Sequence, residues 1–376
     1  MIEILINLER VYYKIIDMKE FDRADYFGHF KIEYRWVFVE RRNYNEKIVV
    51  ISAGIVGIIG IWFYHRDKKY PLTKGYYFMN KFSIPDKVLT LPNIKLANRL
   101  LSKVELPQTP DDIIREIRYI KGEDEEKIPL SIYKLKDMDA NMPCLIYFHG
   151  GGFLFKDEGY MHKLVCKYVR KSKCMAVFIH YRTADKYPFP TPFKDCCNAI
   201  QYVWENTEQL NVNKKKIALG GDSAGGTLTG SCTLWCRDET DIKLCFQMLI
   251  YPVIDSRMET ETMKKYVYSP LFNSTLIKKM WEFYLRNGIK GKKGYTSPIL
   301  AENLSKLPPA YIETAEYDCF HDEGIDYGKS LISVGVKVHL EDVKNVFHGY
   351  DAFLNTEITK RMVEKRSKAL YSAFYE

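Results

Sequence analysis

The sequence predicts an α/β fold in which a mostly parallel sheet carries helices on both faces, with a helical cap. From Ile113 to the C-terminus, short apolar runs typical of buried strands alternate with segments of helical periodicity. A serine stands between two glycines at 221–225, directly after the apolar run 217–219, which is typical of a sharp strand-to-helix turn. Three consecutive glycines follow another apolar run at 143–148.

The chain divides into four parts by composition. Residues 1–47 are rich in aromatic and charged side chains and carry no motif that indicates a chemistry, so their role stays open. Residues 48–64 form an uncharged run, and 65–110 combine a polar linker with an apolar periodic segment that we expect to join the cap. The main α/β domain is predicted for 111–376, with a second cap element inserted at about 256–294.

The run 48–64 indicates membrane association. It holds seventeen residues without a charge and ends in Trp62, Phe63 and Tyr64, which suit a headgroup boundary. At about 1.5 Å per residue it is near the minimum for crossing a bilayer, so we expect a membrane-spanning or deeply inserted helix. A buried core helix is the alternative, and a signal peptide is disfavoured because the run starts far from Met1. Four Lys or Arg residues lie within fifteen positions on each side, so the orientation stays unassigned.

Composition narrows the class of protein. The chain has 376 residues, 46% hydrophobic and 28% charged, which is enough to bury one substantial core. Its net charge of +8 is dispersed instead of gathered in a stripe, so we expect no nucleic-acid partner. The sequence has no phosphate-binding loop, HExxH motif or paired CxxC, and we therefore expect neither a metal nor an organic cofactor.

Nine cysteines, an odd number, are scattered through predicted strands and helices. Buried free thiols are the default at such positions, and they indicate a reducing compartment. We therefore expect a membrane-associated protein whose main domain is cytoplasmic, with a soluble cytoplasmic protein as the alternative. The sequence leaves the oligomeric state open.

The turn at 221–225 exposes the hydroxyl of Ser223, because a β-carbon at either flanking glycine would clash with the adjoining strand and helix. A serine hydroxyl is a weak nucleophile and needs a histidine base and an orienting carboxylate. We interpret the glycines at 150–152 as a loop whose N–H groups approach an oxyanion together with the N–H of Ala224; a flexible turn is the alternative. Asp222 is expected to make structural hydrogen bonds, since adjacent side chains on a tight turn point apart.

Two downstream strands, predicted at 310–315 and 337–343, each precede a residue suited to complete such a site. Asp318 follows the first and His348 the second, and ligand sites in open α/β sheets assemble at the carboxyl ends of the strands. Among the eight histidines, His348 is preferred because it lies in a loop beside a glycine. The others lie in the N-terminal region, the glycine loop, a helix or predicted strands, or too close to the acid: His29, His65, His149, His162, His180, His339 and His321.

With these residues the chain resembles the hormone-sensitive-lipase-like branch of the α/β-hydrolases, which includes bacterial carboxylesterases and arylacetamide deacetylases. The resemblance runs from about residue 111 to the C-terminus and implies an α/β-hydrolase fold. It rests on ordered blocks: HGGGF at 149–153, Tyr181-Arg182, YPFP at 187–190, Asp195, GDSAGG at 221–226, Tyr251-Pro252, Ser297-Pro298, LPPA at 307–310, Asp318, DEG at 322–324 and His348-Gly349.

The resemblance implies three catalytic side chains: the nucleophile Ser223, the general base and acid His348 and the orienting acid Asp318. It implies an oxyanion hole formed by three N–H groups, those of Gly151, Gly152 and Ala224. The implied activity is that of a serine carboxylesterase acting on short- to medium-chain acyl esters of small molecules, without a cofactor. A deacetylase or amidase of the same family is the alternative. A non-catalytic ligand receptor on this fold is disfavoured, because such receptors lack the histidine that this chain retains.

The segment 256–294 offers bulky side chains for an acyl pocket. They are Met263, Tyr266, Tyr268, Leu271, Phe272, Trp281, Phe283 and Tyr284. For any one of them, packing of the cap onto the sheet is the preferred interpretation. Bulky cap residues as a group favour small or medium acyl chains.

Overall fold

A sheet of eight strands organises the residues that the computed structural model describes, 70–138, 141–289 and 291–376. Its strands are β1 (Ile113–Lys121), β2 (Lys127–Leu135), β3 (Met142–Phe148), β4 (Met175–Ile179), β5 (Val212–Asp222), β6 (Phe246–Ile250), β7 (Ala310–Ala315) and β8 (Val338–Val343). The order across the sheet is β1-β2-β4-β3-β5-β6-β7-β8. Strand β2 runs antiparallel to both of its neighbours, and the other neighbouring pairs are parallel. The predicted mostly parallel sheet is confirmed.

Helices alternate with these strands. In the described ranges the α-helices are α1 (Leu91–Leu101), α2 (Gly159–Ser172), α3 (Thr191–Glu205), α4 (Ala224–Glu239), α5 (Glu261–Lys265), α6 (Ser274–Tyr284), α7 (His321–Ser333) and α8 (Glu357–Tyr375). Helix α4 packs on β5 and β6, α7 packs on β7 and β8, and α8 packs on α2. The alternation that the sequence predicts from Ile113 onward is therefore present.

The core lies along the central strands. Strands β3, β4, β6 and β7 are buried over their whole length, as expected for a parallel sheet that helices cover on both faces. Strand β1, at one edge, combines exposed and half-buried residues and is buried only at Ile113 and Ile120. Strand β4 ends at Ile179, so His180 follows the strand, and the expectation that it lies inside a strand was wrong. An apolar pattern does not distinguish the last strand residue from the first loop residue, and here the imidazole of His180 turns to bond with the Asp157 carboxylate, 2.9 Å away.

The described part of 65–110 packs closely on the main domain, which differs from the expected linker. A 3₁₀ helix, Lys74–Lys81, buries Tyr76 completely. The hydroxyl of Tyr76 lies 3.2 Å from the carbonyl oxygen of Tyr350 and 2.6 Å from the Thr356 hydroxyl. Composition missed this because the buried aromatic residues here are interspersed with lysines.

The two segments expected to form the cap are bonded to each other. The N–H of Ile84 donates to the carbonyl of Leu271 at 3.0 Å, and the Asn273 amide donates to the Ser83 hydroxyl at 2.9 Å. Helix α1 is tied to the main domain as well, because the Asn98 amide donates to the carbonyl of Leu154 at 2.8 Å. The described residues that precede β1, 70–110, are called the N-terminal strap, and these bonds join the strap to the inserted segment.

A buried ionic cluster joins α8 to the sheet. The Arg366 guanidinium is excluded from solvent and bonds both carboxylate oxygens of Glu313 on β7, with Nε at 2.8 Å from Oε2. Its Nη1 lies 2.6 Å from Asp351 and 3.1 Å from the Tyr168 hydroxyl. Because Asp351 is three residues beyond His348, this cluster anchors the loop that carries the predicted base.

Two sequence predictions concern residues 1–47 and 48–64, which lie outside the described residues. Within the described ranges, no helix combines the length and apolarity that a bilayer crossing requires. All nine cysteines fall inside these ranges, where each is a free thiol and eight are buried.

Candidate active site

Ser223 occupies the sharp turn between β5 and α4. Its backbone angles, φ 56° and ψ −120°, are strained for a residue with a side chain, and its N–H donates to the carbonyl of Ile250 at 2.9 Å. A β-carbon on Gly225 would lie 1.9 Å from the carbonyl oxygen of Phe148, and one on Gly221 would lie 2.3 Å from that of Gly225. The steric reason given for both glycines therefore holds.

The structure brings the three predicted catalytic side chains into one hydrogen-bonded row. The Oγ of Ser223 lies 2.8 Å from Nε2 of His348, and Nδ1 of His348 lies 2.6 Å from Oδ2 of Asp318. All three are buried, with 7%, 3% and 1% of each residue exposed. They come together because β5, β7 and β8 are parallel and each residue follows the carboxyl end of one of these strands.

Three aromatic rings surround the imidazole of His348. The ring centroids of Tyr251, Phe320 and Phe272 lie 4.9, 5.0 and 5.2 Å from that of His348, each at a steep interplanar angle. Phe272 belongs to the inserted cap segment, so the cap reaches the predicted base. The rings restrict rotation of the imidazole and lower the local dielectric, which strengthens its bond to Asp318.

The glycine loop after β3 forms a tight turn. Gly151 and Gly152 have φ values of +103° and +61°, and the N–H groups of Leu154 and Phe155 both donate to the Gly151 carbonyl, at 3.1 and 3.0 Å. Among the described backbone carbonyls, none accepts from the N–H of Gly151 or Gly152. Ala224 begins α4, where the first N–H groups of a helix lack an intrahelical acceptor. All three predicted oxyanion donors are therefore backbone N–H groups that can still donate a hydrogen bond to an oxyanion.

His149 of this loop is buried, and burial lowers its pKa to about 4. Its ring stacks on Tyr181 with centroids 4.1 Å apart, and the Tyr181 hydroxyl donates to the His149 carbonyl at 2.8 Å. A neutral imidazole in this packing supports the loop and does not act as a base, which agrees with its omission from the predicted site.

The cap helix α6 presents Met280 to the glycine loop. A β-carbon on Gly152 would lie 3.1 Å from Cγ of Met280, so this buried side chain is in contact with the predicted oxyanion loop. Sequence analysis did not single out Met280, although it lies on the same face of α6 as Tyr284, one turn later. Of the cap residues that were named, Trp281 and Tyr284 pack on Phe153, with ring centroids 5.7 and 3.9 Å apart.

Asp222 makes a structural hydrogen bond, as expected. Its carboxylate accepts from the Tyr147 hydroxyl at 2.9 Å. Burial, together with a smaller contribution from the negative charge of Asp351, raises the pKa of Asp222 to about 7. The group is therefore poised between its neutral and ionised forms near neutral pH.

One cluster of polar side chains lies outside this site and was missed by the sequence analysis. Asp157, His162 and His180 each place one donor atom within 4.8 Å of the other two, the arrangement among the described residues that could hold a metal ion. The sequence analysis judged both histidines singly, one in a helix and one in a predicted strand. Their separations along the chain match no short metal-binding motif, so spacing gave no signal.

Residues 145–352, more than half of the chain, match the model of a protein family whose description is 'alpha/beta hydrolase fold'. An arylesterase of Saccharolobus solfataricus is 31% identical over 284 residues, covering 74% of this chain and 89% of the relative. The arylacetamide deacetylase of Bos taurus is 26% identical over 340 residues, covering 73% and 84%. The solved structure of a bacterial heroin esterase superposes with a TM-score of 0.69 at 28% identity, covering 76% and 92%. This chain therefore belongs to the hormone-sensitive-lipase-like branch of the α/β-hydrolase family and is a hydrolase of the carboxylesterase type.

Proposed function

We propose that this protein is a serine carboxylesterase that hydrolyses short- to medium-chain acyl esters of small molecules. One observation carries the proposal: the continuous row from Ser223 Oγ through His348 to Asp318, with contacts of 2.8 and 2.6 Å. A base within hydrogen-bond reach of a hydroxyl, itself oriented by a buried carboxylate, is what a serine nucleophile requires.

The reaction proceeds through an acyl-enzyme. As Oγ of Ser223 bonds to the ester carbonyl carbon, its proton moves to Nε2 of His348 and the carbonyl electron pair moves onto the oxygen. The N–H groups of Gly151, Gly152 and Ala224 stabilise this oxyanion. When the intermediate collapses, the alcohol leaves with the proton from His348. A water then gives a proton to His348, attacks the acyl carbon, and releases the acid as Ser223 regains its proton.

Asp318 acts through His348 and not on the substrate. Its Oδ2 accepts from Nδ1–H, which fixes the tautomer that leaves Nε2 free to take the serine proton. Its other oxygen accepts from the N–H of Phe320 at 3.0 Å, so the carboxylate is held on both sides. The buried negative charge then stabilises the imidazolium that forms in each transition state.

The acyl size range follows from two cap contacts. Met280 touches the glycine loop beside Gly152, and Phe272 lies against His348, so both ends of the reacting centre are bordered by bulky side chains. Such borders leave room for a short acyl group more readily than for a long one.

Amide hydrolysis is the second candidate, because one relative of comparable coverage is an arylacetamide deacetylase. The same nucleophile and oxyanion donors serve an anilide. Its amine is a poorer leaving group, so proton delivery from His348 becomes the demanding step. The two functions differ in the leaving group and not in the site.

Hydrolysis of p-nitrophenyl esters from acetate to palmitate by the full chain tests the proposal, with p-nitroacetanilide measured in parallel. Ser223→Ala should abolish turnover on every substrate. The matched control is Ser231→Ala, because Ser231 is a buried serine on α4 whose hydroxyl has no hydrogen-bond partner among the described residues. Turnover that survives in S223A, or that S231A loses equally, would remove Ser223 as the nucleophile. Turnover confined to the anilide would favour the second candidate.

A further inference from the structure

Three potential ligand atoms converge beside the glycine loop, on three separate segments. Asp157 lies between that loop and α2, His162 lies on α2, and His180 follows β4. Nε2 of His162 is 2.8 Å from one oxygen of Asp157, and Nδ1 of His180 is 2.9 Å from the other. The three donor atoms all lie within 4.8 Å of one another. Two imidazole nitrogens and one carboxylate therefore face the same point.

The outer nitrogen of each imidazole also has a partner, and both partners lie on β2. Nδ1 of His162 is 2.6 Å from the Tyr133 hydroxyl, and Nε2 of His180 is 2.8 Å from the Ser131 hydroxyl. Metal-binding histidines have this arrangement, because a hydrogen bond at the far nitrogen fixes the tautomer and the ring orientation. The rings thus present the nitrogens facing Asp157 in fixed directions.

Burial and charge in the cluster suit a cation. The side chain of His162 is 1% exposed, that of Asp157 is 12% exposed and that of His180 is 17% exposed. Metal binding requires an ionised carboxylate and unprotonated imidazole nitrogens, and this cluster can supply one carboxylate and two such nitrogens.

We propose that Asp157, His162 and His180 bind a divalent transition-metal ion of the zinc class, with water completing the coordination. Two nitrogens and one carboxylate oxygen are a donor set that zinc accepts in tetrahedral geometry. Adjacent ligand atoms around such an ion lie about 3.3 Å apart. The two contacts between imidazole nitrogens and Asp157 oxygens, 2.8 and 2.9 Å, therefore lengthen slightly when the ion binds. The ion joins the segment after the glycine loop to α2 and to the end of β4. Its role is structural, and the site is independent of the ester hydrolysis proposed for Ser223.

The primary experiment uses full-length, tag-free protein stripped with EDTA and dialysed. Elemental analysis after incubation with ZnCl₂ should give one equivalent per chain, and competition with a chromogenic chelator should give the affinity. At about a hundredfold excess over Kd, bound zinc should raise Tm by about 4 °C. Recovery of zinc-free protein whose Tm is unchanged by ZnCl₂ would overturn the proposal and leave the cluster as a metal-free hydrogen-bond network.

The variant that tests the ligands is His180→Gln, because a glutamine amide can still bond Asp157 and Ser131 but does not ligate zinc. It should lose the bound equivalent and the Tm response. The matched control is His339→Gln, which removes an exposed histidine on β8 outside the cluster and should bind as the wild type does. Unchanged zinc binding in H180Q would place the ion elsewhere and overturn the assignment.

Two further measurements do not depend on H180Q folding. Ser131→Ala removes the outer partner of His180 without removing a ligand and should weaken zinc affinity at least tenfold. Co²⁺ substituted into the wild type should give tetrahedral d–d absorption without a thiolate charge-transfer band. A thiolate band would assign the ion to cysteines instead and contradict the proposal.

Discussion

The Asp318 carboxylate and the His348 imidazole share a 2.6 Å hydrogen bond in a setting from which solvent is almost excluded. Three aromatic rings pack around the imidazole, and the carboxylate is held a second time by the N–H of Phe320. These contacts prevent either side chain from rotating to form a hydrogen bond with water. The pair is therefore set in one tautomer and one orientation before substrate arrives, which is the condition for proton transfer without reorganisation.

Asp318→Asn should reduce kcat for p-nitrophenyl acetate by about 10⁴-fold, because an asparagine amide favours the imidazole tautomer that cannot accept the serine proton. KM should change little, since Asp318 does not touch the substrate. Asp326→Asn, an exposed acid on α7, is the control and should retain wild-type kcat. A loss below tenfold in D318N would contradict the orienting role of Asp318.

Asp222→Asn should reduce the pH dependence of stability. The pKa of Asp222 is raised from 3.8 to about 7, so between these values the native state binds more protons than the unfolded state. The contribution of this group to the free energy of unfolding is complete below pH 3.8 and is lost as the pH rises through 7. Between pH 5 and pH 8 the wild type should lose about 2–3 kcal/mol that D222N keeps.

Urea denaturation of the wild type and D222N at both pH values measures this difference. The amide oxygen that D222N introduces can still accept from the Tyr147 hydroxyl, so the variant keeps that hydrogen bond while losing the titration. Parallel pH profiles for the two proteins would mean that the Asp222 carboxyl is ionised throughout the range.

Arg366→Met should lower the free energy of unfolding by about 3–5 kcal/mol, because it leaves the Glu313 and Asp351 carboxylates buried without a cation. The control is Arg361→Met on the exposed face of α8, which should change stability by less than about 0.5 kcal/mol. Equal, small losses in both variants would show that the buried cluster contributes no more than a surface charge. Guanidinium denaturation followed by fluorescence separates the two outcomes.

Met280→Ala should extend the range of acyl chains, since it removes the side chain in contact with the glycine loop. The ratio of kcat/KM for the decanoate ester to that for the acetate ester should rise about tenfold. Met362→Ala truncates a buried methionine on α8 and controls for general loosening of the core. A similar shift in M362A, or none in M280A, would mean that Met280 does not limit acyl length.

The sequence predicted the features that depend on local chemistry. The turn around Ser223 and the glycine loop each follow from a few consecutive residues whose backbone geometry excludes a β-carbon. Predicting Asp318 and His348 needed two further arguments. Parallel strands bring their carboxyl ends to one edge of the sheet, and the family resemblance implied the roles of these two residues. Each of these predictions rests either on a few consecutive residues or on the known way in which parallel strands are arranged in a sheet.

The remaining features depend on contacts between distant segments. Glu313 lies within the apolar pattern of a strand, and its partner Arg366 lies 53 residues later on an amphipathic helix. Asp157, His162 and His180 converge only because α2 and β4 fold back on the glycine loop. Side chains that meet through tertiary packing leave no periodic trace, so pattern analysis classed each one as ordinary.

The contact between Tyr76 and Tyr350 joins residues 274 positions apart, and Tyr350 is two residues beyond His348. A protein shortened to begin at β1 would expose the Tyr350 carbonyl and the hydroxyls of Thr356 and Thr359 to water. Expression vectors for crystallisation or directed evolution should therefore start upstream of residue 70. In engineering terms, the minimal autonomous unit of this hydrolase includes its N-terminal strap.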